Sequence, residues 1–255
     1  MTIDELFAIV LRGDRAAKME GNSISAGGYI NLSGLTTLPE GVTLSAGGKL
    51  YLGSVTTIPE GVTISAGGNL ELGSLTTIPE GVTLTAGGNL YLDSLTTIPE
   101  GVTLSAVGYI ESNHINQEWR GKTLRSVDGY LMEVISSVEV DGINLHNCRY
   151  FGKYAACRVA EKRGVFAHGA TAKEAVSDLL FKFSKRDIPA VVSEIKRTGI
   201  VTRFQYRALS GACREGTRTF LESHGLGDAE EMPLADVLAL TKGAYGFEAF
   251  HSALR

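Results

Sequence analysis

The sequence predicts a mixed fold: an N-terminal parallel β-solenoid of 20-residue leucine-rich-like coils, followed by an α+β region ending in helices. Three observations lead there. A 20-residue repeat runs through the first half, the apolar residues inside each repeat alternate, and both features stop near Arg125. Fixed-period self-similarity is the mark of a chain that stacks one supersecondary unit on the next.

The repeat opens as Leu35-Thr-Thr-Leu-Pro-Glu-Gly-Val-Thr-Leu-Ser-Ala-Gly-Gly-Lys-Leu-Tyr-Leu and begins again at Val55, Leu75 and Leu95. Pro39, Pro59, Pro79 and Pro99 keep the step, as do Leu32, Leu52, Leu72 and Leu92. A weaker copy starts at Ile24, and the pattern decays after Leu104. In Val62-Thr63-Ile64-Ser65 and Leu70-Glu71-Leu72 the apolar residues fall on every second position, which is strand periodicity. Leu75 and Ile78 add inward anchors, while Gly67-Gly68 and Pro79-Glu80-Gly81 are expected at the corners. Twenty residues leave no room for two helices per turn, so a coil of short parallel strands burying its leucines on its neighbours is the economical solution.

A solenoid must cover its end coils. Thr2 is expected to N-cap a helix whose first turn carries Asp4 and Glu5, with Leu6, Phe7, Ile9, Val10 and Leu11 as its apolar side, so residues 2–18 are assigned as a cap. Trp119, the single tryptophan, is expected to seal the far end. The resulting divisions are 1–20 (cap), 21–124 (repeats), 125–186 (small α+β module) and 187–255 (helical module).

Beyond Arg125, 129–137 and 138–144 are expected as two strands around a tight turn, and 149–161 and 165–168 as two more, joined by Lys162-Arg163-Gly164. Thr171 with Glu174 forms a capping box for a helix with the apolar stripe Ala172, Ala175, Val176, Leu179, Leu180 and Phe183. Further helices are expected over 188–196, 211–224, 234–241 and 247–254.

Composition narrows the function. A hydrophobic content of 44% supports a packed core. No apolar run approaches the length of a membrane span, and Met1-Thr-Ile-Asp-Glu-Leu lacks the basic flank of a signal peptide, so a cytoplasmic location is expected. Three scattered cysteines, Cys148, Cys157 and Cys213, fit a reducing compartment rather than a disulfide framework or a zinc site. Residues 1–124 hold six Lys/Arg against twelve Asp/Glu, a balance of −6, whereas 125–255 hold 18 against 16, a balance of +2. An acidic solenoid is not expected to bind a nucleic-acid backbone.

The repeat is nearly invariant, so its variable positions carry information. The outward site inside Leu-x-Leu is Asn31, Tyr51, Glu71, Tyr91, Glu111, and the site before that motif is Tyr29, Lys49, Asn69, Asn89, Tyr109. On a parallel coil these form two adjacent ladders, and tyrosines mixed with charges suit protein recognition. The candidate protein-binding residues are therefore Tyr29, Lys49, Tyr51, Glu71, Tyr91, Tyr109 and Glu111. A second set, Thr43/Ser45 through Thr103/Ser105, forms a hydroxyl ladder; strand propensity explains it better than ice binding does.

Catalytic signals are sparse: no Gly-x-Gly-x-x-Gly follows a strand, and neither a P-loop nor His-Glu-x-x-His occurs. Cys213, near Arg214, Arg218 and His224, is the best nucleophile candidate, although a small buried thiol is the plainer reading. Arg207, Arg214, Arg218 and Lys242 are the candidate anion or nucleotide ligands, and His146 and His168 are read as surface or packing residues. No cofactor and no metal is expected.

The pattern Leu-x-x-Leu-Pro…Asn-Leu-x-Leu resembles bacterial leucine-rich repeats of the short Leu-Pro type over roughly residues 21–112. Ser or Gly replaces the Asn usual after the strand, and Gly-Gly precedes it, so a leucine-rich coil and a plain β-solenoid both stay open. The resemblance implies that the strand face is the binding face. The strand–strand–helix passage ending in Ala167-His-Gly-Ala-Thr-Ala-Lys-Glu-Ala175 is loosely similar to α+β modules of the antitoxin HicB type. The run from Tyr206 to Phe220, with Leu240–Phe250, is similar to an uncharacterised module of phage and prophage proteins.

These resemblances imply a non-enzymatic, phage-type accessory protein that binds a host protein, with an anti-defence inhibitor as the specific expectation. The C-terminal half would add a second contact, homo-oligomerisation or ligand capture. The alternatives are a nucleotide or small-molecule sponge, or an enzyme, using a basic C-terminal pocket, and a structural virion component.

Overall fold

The structure, a computed structural model, describes every residue except Asp228, and every side chain except those of Asp228, Arg186 and Glu215. It contains two compact units, residues 1–139 with 145–158 and residues 140–144 with 159–255.

The first unit opens with helix α1 (Ile3–Gly13). Thr2 Oγ1 accepts the Glu5 amide at 3.2 Å and the Glu5 carboxylate accepts the Thr2 amide at 2.8 Å, a complete capping box. Leu6 and Val10 are buried, whereas Leu11 is exposed. The helix ends five residues short of the expected boundary. The Asp14 carboxylate accepts the Ala16 amide at 2.9 Å and the Gly28 amide at 3.3 Å, offering the backbone an alternative to another helical turn. The chain then forms strand β1 (Lys18–Glu20), antiparallel to β2 (Ser23–Ala26).

From β2 onward each coil contributes a four-residue and a two-residue strand. They are β2 with β3 (Ile30–Asn31), β4 (Thr43–Ala46) with β5 (Leu50–Tyr51), β6 (Thr63–Ala66) with β7 (Leu70–Glu71), β8 (Thr83–Ala86) with β9 (Leu90–Tyr91), and β10 (Thr103–Ala106) with β11 (Ile110–Glu111). The longer strands stack in parallel as one sheet and the shorter ones as another. Register is perfect at one repeat: Thr43 pairs with Thr63 and Leu50 with Leu70. The chain is thus a β-solenoid with two parallel sheets. Its interior is a column of Val42, Leu44, Leu50, Leu52, Val55 and their equivalents, enclosed in the middle coils and partly open at Leu35 and Leu104 near the ends.

Two kinds of glycine make the stacking possible. At Gly67 a Cβ would lie 2.9 Å from the carbonyl carbon of Gly47 and closer still to its oxygen, and the relation repeats from Gly47 to Gly87. The corners touch backbone to backbone, which is why Gly-Gly recurs. Gly41, Gly61 and Gly81 instead follow Pro-Glu with φ of 61° to 77°, where L side chains are strained.

The open C-terminal end is covered by a hairpin of β12 (Asn116–Trp119) and β13 (Lys122–Val127). Its side chains take the polar groups that a further coil would have taken. Gln117 accepts the Ile98 amide at 2.9 Å and donates to the Ile98 carbonyl at 2.8 Å. Trp119 Nε1 donates to the Pro99 carbonyl at 3.0 Å, and Arg120 donates to the carbonyls of Glu100 and Val102. Lys153 Nζ donates to the carbonyls of Ala106 and Val107. Trp119, buried and edge-on to Phe151 at 5.5 Å, seals the last coil as expected.

Strand β14 (Tyr130–Val140) pairs with β13 and meets β11 at Glu111–Tyr130. It runs unbroken through residues 137 and 138, where a turn was expected; the turn falls at Asp141-Gly142, before β15 (Ile143–Tyr150). Nor is 149–161 one strand: β15 stops at Tyr150 and β16 (Ala156–Lys162) starts after a loop. In the first unit β15 is anchored by Arg149, whose guanidinium makes two hydrogen bonds of 2.9 and 3.0 Å to Glu133. The hydrogen bond between Cys148 and Cys157, then burial, pushes the Cys148 thiol well up, so it stays protonated.

The second unit holds β17 (Val165–Gly169) and helices α2 (Ala172–Arg186) and α3 (Ile188–Thr198). Thr171 and Glu174 form the expected capping box, and Ala175 and Leu179 are fully buried. The terminal region departs from a purely helical reading. A ribbon of β18 (Ile200–Thr202) and β19 (Glu231–Pro233) spans it, and residues 203–223 form two helices, α4 (Arg203–Ser210) and α5 (Arg214–Ser223). Gly211 is the left-handed cap of α4 rather than the start of α5. Helices α6 (Leu234–Thr241) and α7 (Phe247–Ala253) close the chain. Val191, Ile195, Val201, Leu209, Val237 and Phe250 form this unit's core. No helix among the described residues is long and apolar enough to cross a membrane.

Candidate functional site

The two-residue strands bring the variable positions together. Asn31 pairs with Tyr51, Tyr51 with Glu71, Glu71 with Tyr91 and Tyr91 with Glu111, one per coil. The flanking leucines are enclosed, while these residues stand half-exposed or exposed on the outer face. Tyr29, Lys49 and Tyr109 lie exposed in the neighbouring column, Tyr29 with two-thirds of its surface open. All seven sequence-predicted residues thus sit on the sheet of short strands.

Polar groups link the columns at the C-terminal end. Asn89 Nδ2 donates to Glu111 at 2.9 Å and to the Tyr91 hydroxyl at 3.3 Å. The Asn69 side-chain oxygen accepts the Asn89 amide at 3.1 Å, and the Asn89 oxygen accepts the Tyr109 amide at 2.9 Å. These asparagines stack one per coil and hold the backbone of the next, which keeps the tyrosines and carboxylates in fixed positions.

The face carries more acid than base: Glu71, Asp93 and Glu111 against Lys49. Desolvation raises the Glu71 carboxyl above its ordinary range; Lys49 opposes this, while Asp93 and Glu111 add to it. Glu111 is raised by desolvation too, against the Asn89 hydrogen bond and with a contribution from Asp93. Three tyrosines end the ladder: Tyr109 lies edge-on to Tyr130 at 5.4 Å and to Tyr150 at 4.9 Å, and Tyr130 to Tyr150 at 5.5 Å. Burial raises the Tyr150 hydroxyl above its ordinary value. Tyr130 and Tyr150 were not legible as site residues, because they lie outside the repeat and reach the face only through the pairing of β14 with β11. Asn89 was legible as a variable position but not as the link between columns.

The cationic candidates of the second unit lie elsewhere. Arg207, Arg214 and Arg218 line one shallow cleft of about 200 Å3 with Lys173 and Arg203. Lys242, past the end of α6, does not line it. The cations are largely committed: Arg207 and Arg214 share Asp178 at 3.0 and 2.8 Å, Arg218 pairs with Glu222 at 2.9 Å, and Lys173 with Glu230 at 2.7 Å. Arg207 also stacks on Phe181 with its guanidinium carbon 4.2 Å from the ring centre. An anion entering this cleft would compete with four carboxylate contacts.

Cys213 occupies the N-cap of α5, its Sγ accepting the Gly216 amide at 3.2 Å. It is exposed rather than buried as expected, because the N-cap position leaves it on the helix end, and it lines a larger, mainly apolar cavity of about 340 Å3 bounded by β18, β19 and helices α4 to α6. His146 is buried against Ser137. Among the described residues no three His, Cys, Asp or Glu side chains group as a metal site.

No protein-family model matches this chain, and no curated protein or solved structure matches it either.

Proposed function

We propose that this chain is a non-enzymatic binding protein whose sheet of short strands engages a partner protein. The carrying observation is the pair of in-register columns on that sheet. Their residues differ from coil to coil on a scaffold that otherwise repeats, and a hydrogen-bonded asparagine ladder fixes them in place. Rigid aromatic side chains give large contact area at low entropic cost. The resemblance to leucine-rich repeats points to the same face.

The partner presents basic side chains. Glu71, Asp93 and Glu111 outnumber Lys49 on this face, so an incoming Lys or Arg meets complementary charge. Association should therefore weaken with salt. The resemblance of the C-terminal run to phage modules makes that partner a host protein, and inhibition of a host defence is the corresponding role. The committed cations of the C-terminal cleft favour this reading over an anion or nucleotide sponge.

The test is a pull-down from host lysate with the full chain and with a Tyr51→Ala/Tyr91→Ala variant of unchanged circular dichroism. A protein retained by the first and lost by the second supports the assignment. Retention by both, or loss only in an Arg214→Ala/Arg218→Ala variant, overturns it.

A further inference from the structure

The second unit carries a cavity that the strand-face reading does not use. Its volume, about 340 Å3, lies at the lower end of the range of small-molecule sites. Val201 and Met232 of the β18–β19 ribbon form one wall, Phe220 and Leu221 of α5 another, and Val237 and Leu240 of α6 a third. An apolar void of this size deprives its lining of dispersion contacts, so an unfilled core would be expected to collapse. Val201 and Val237 of its wall also belong to the unit's core, which ties the ribbon and α6 to Leu209 of α4 and Phe250 of α7.

The polar groups on the wall define what can enter. Thr241 Oγ1 donates to the Val237 carbonyl at 2.6 Å, and Thr217 Oγ1 to the Cys213 carbonyl at 2.9 Å. Thr202 Oγ1 accepts the Gln205 amide at 3.3 Å. The Tyr206 hydroxyl donates to the Tyr245 carbonyl at 3.4 Å, and the Arg203 guanidinium to the carbonyls of Gly227 and Ala229. Each already holds a bond within the protein, and the rest of the wall is mainly carbon, so a ligand gains most here by burying apolar surface. Charge selects further. Glu230 and Glu231 border the cavity, and the one cation among the described lining residues, Arg203, is already engaged with two carbonyls.

We infer that this cavity is a binding site for an uncharged, apolar small molecule. Its ligand is a compact hydrophobic body with no acid group, and the neighbouring basic cleft plays no part in holding it. Tyr245 and Cys213 are the exposed part of its lining.

The experiment uses the full chain and the neutral fluorescent probe N-phenyl-1-naphthylamine. Saturable binding of one probe per chain is expected, with displacement by 1-octanol at a concentration at least about tenfold below that of octanoate. Ala244→Trp fills the cavity and Leu240→Gln makes its wall polar at nearly constant volume. Each should weaken the probe by about tenfold or more, and thermal melts show which variant remains folded. Non-saturable fluorescence, octanoate as effective as octanol, or unchanged binding in a folded variant overturns the inference. So does loss of probe binding in Tyr51→Ala/Tyr91→Ala, which would move the site to the solenoid face.

Discussion

Single residues carry more weight in this chain than their chemistry suggests. Gly67 has an ordinary backbone conformation, yet a Cβ there meets the Gly47 backbone, which has no slack because the coil below is stacked identically. Gly67→Ala should cost about 2 kcal/mol or more, measured by urea unfolding, whereas the open Gly53 should accept alanine nearly without effect. Glutamates of opposite character give opposite pH dependences. Burial would raise Glu133, but hydrogen bonds from Arg149 and Lys122 hold it below the ordinary carboxylate value. Its contribution is therefore present above the unfolded-state value and lost as pH falls through the folded one. Glu71 and Glu111 are raised, so theirs is present below the unfolded value and lost as pH rises through the folded one. Glu133→Gln should lower the melting temperature at pH 7 and narrow its gap to the acid value. Glu71→Gln should raise the melting temperature at pH 7, not in acid, while weakening partner binding. A melting temperature unmoved by either change would refute these signs.

Among the elements, the hairpins were the most legible part of the second half and still the most often misplaced. Arg120-Gly121, Asp128-Gly129, Asp141-Gly142 and Arg163-Gly164 all place two consecutive residues at positive φ, the turn that matches strand twist. The Asp-Gly pairs stand in the sequence, yet the turn expected between residues 137 and 138 falls inside β14. The end of the solenoid was not legible at all. Arg120 and Lys153 look like ordinary surface cations, and only the fold shows them donating to the free carbonyls of β10 and its flanks. An unpaired strand edge invites association with another chain. Lys153→Ala should lower stability by about 1 kcal/mol, and the Arg120→Ala/Lys153→Ala pair should shift the chain toward concentration-dependent oligomers in light scattering. A monodisperse double variant would show that the hairpin alone protects the edge.

For the molecule as a whole, the repeat region shares its compact unit with later parts of the chain. The first unit runs past residue 124 to include β14, Phe151 and Lys153, which pair with β11, pack on Trp119 and cap β10. A fragment ending at residue 124 should accordingly melt well below the first-unit transition of the full chain and expose apolar surface to a dye. Equal melting temperatures would mean that the coils stabilise themselves without these contacts. The boundary at 124 follows the end of the repeat, which is where periodicity ends rather than where packing does.

What the sequence determined by itself was whatever depends on local period and on stacking one repeat on the next: the coil, its inward leucines, its glycine corners, the N-cap at Thr2, the capping box at Thr171, and the two variable columns. These follow from residues within one repeat or one helical turn, where chain neighbours dictate geometry. Tertiary structure alone decided which remote side chains close the solenoid, that Tyr130 and Tyr150 join the tyrosine face, that the C-terminal arginines are spent on Asp178 and Glu222, and that an apolar cavity lies beside them. Those outcomes depend on which surfaces meet across long stretches of chain, and nothing periodic in the sequence records that meeting.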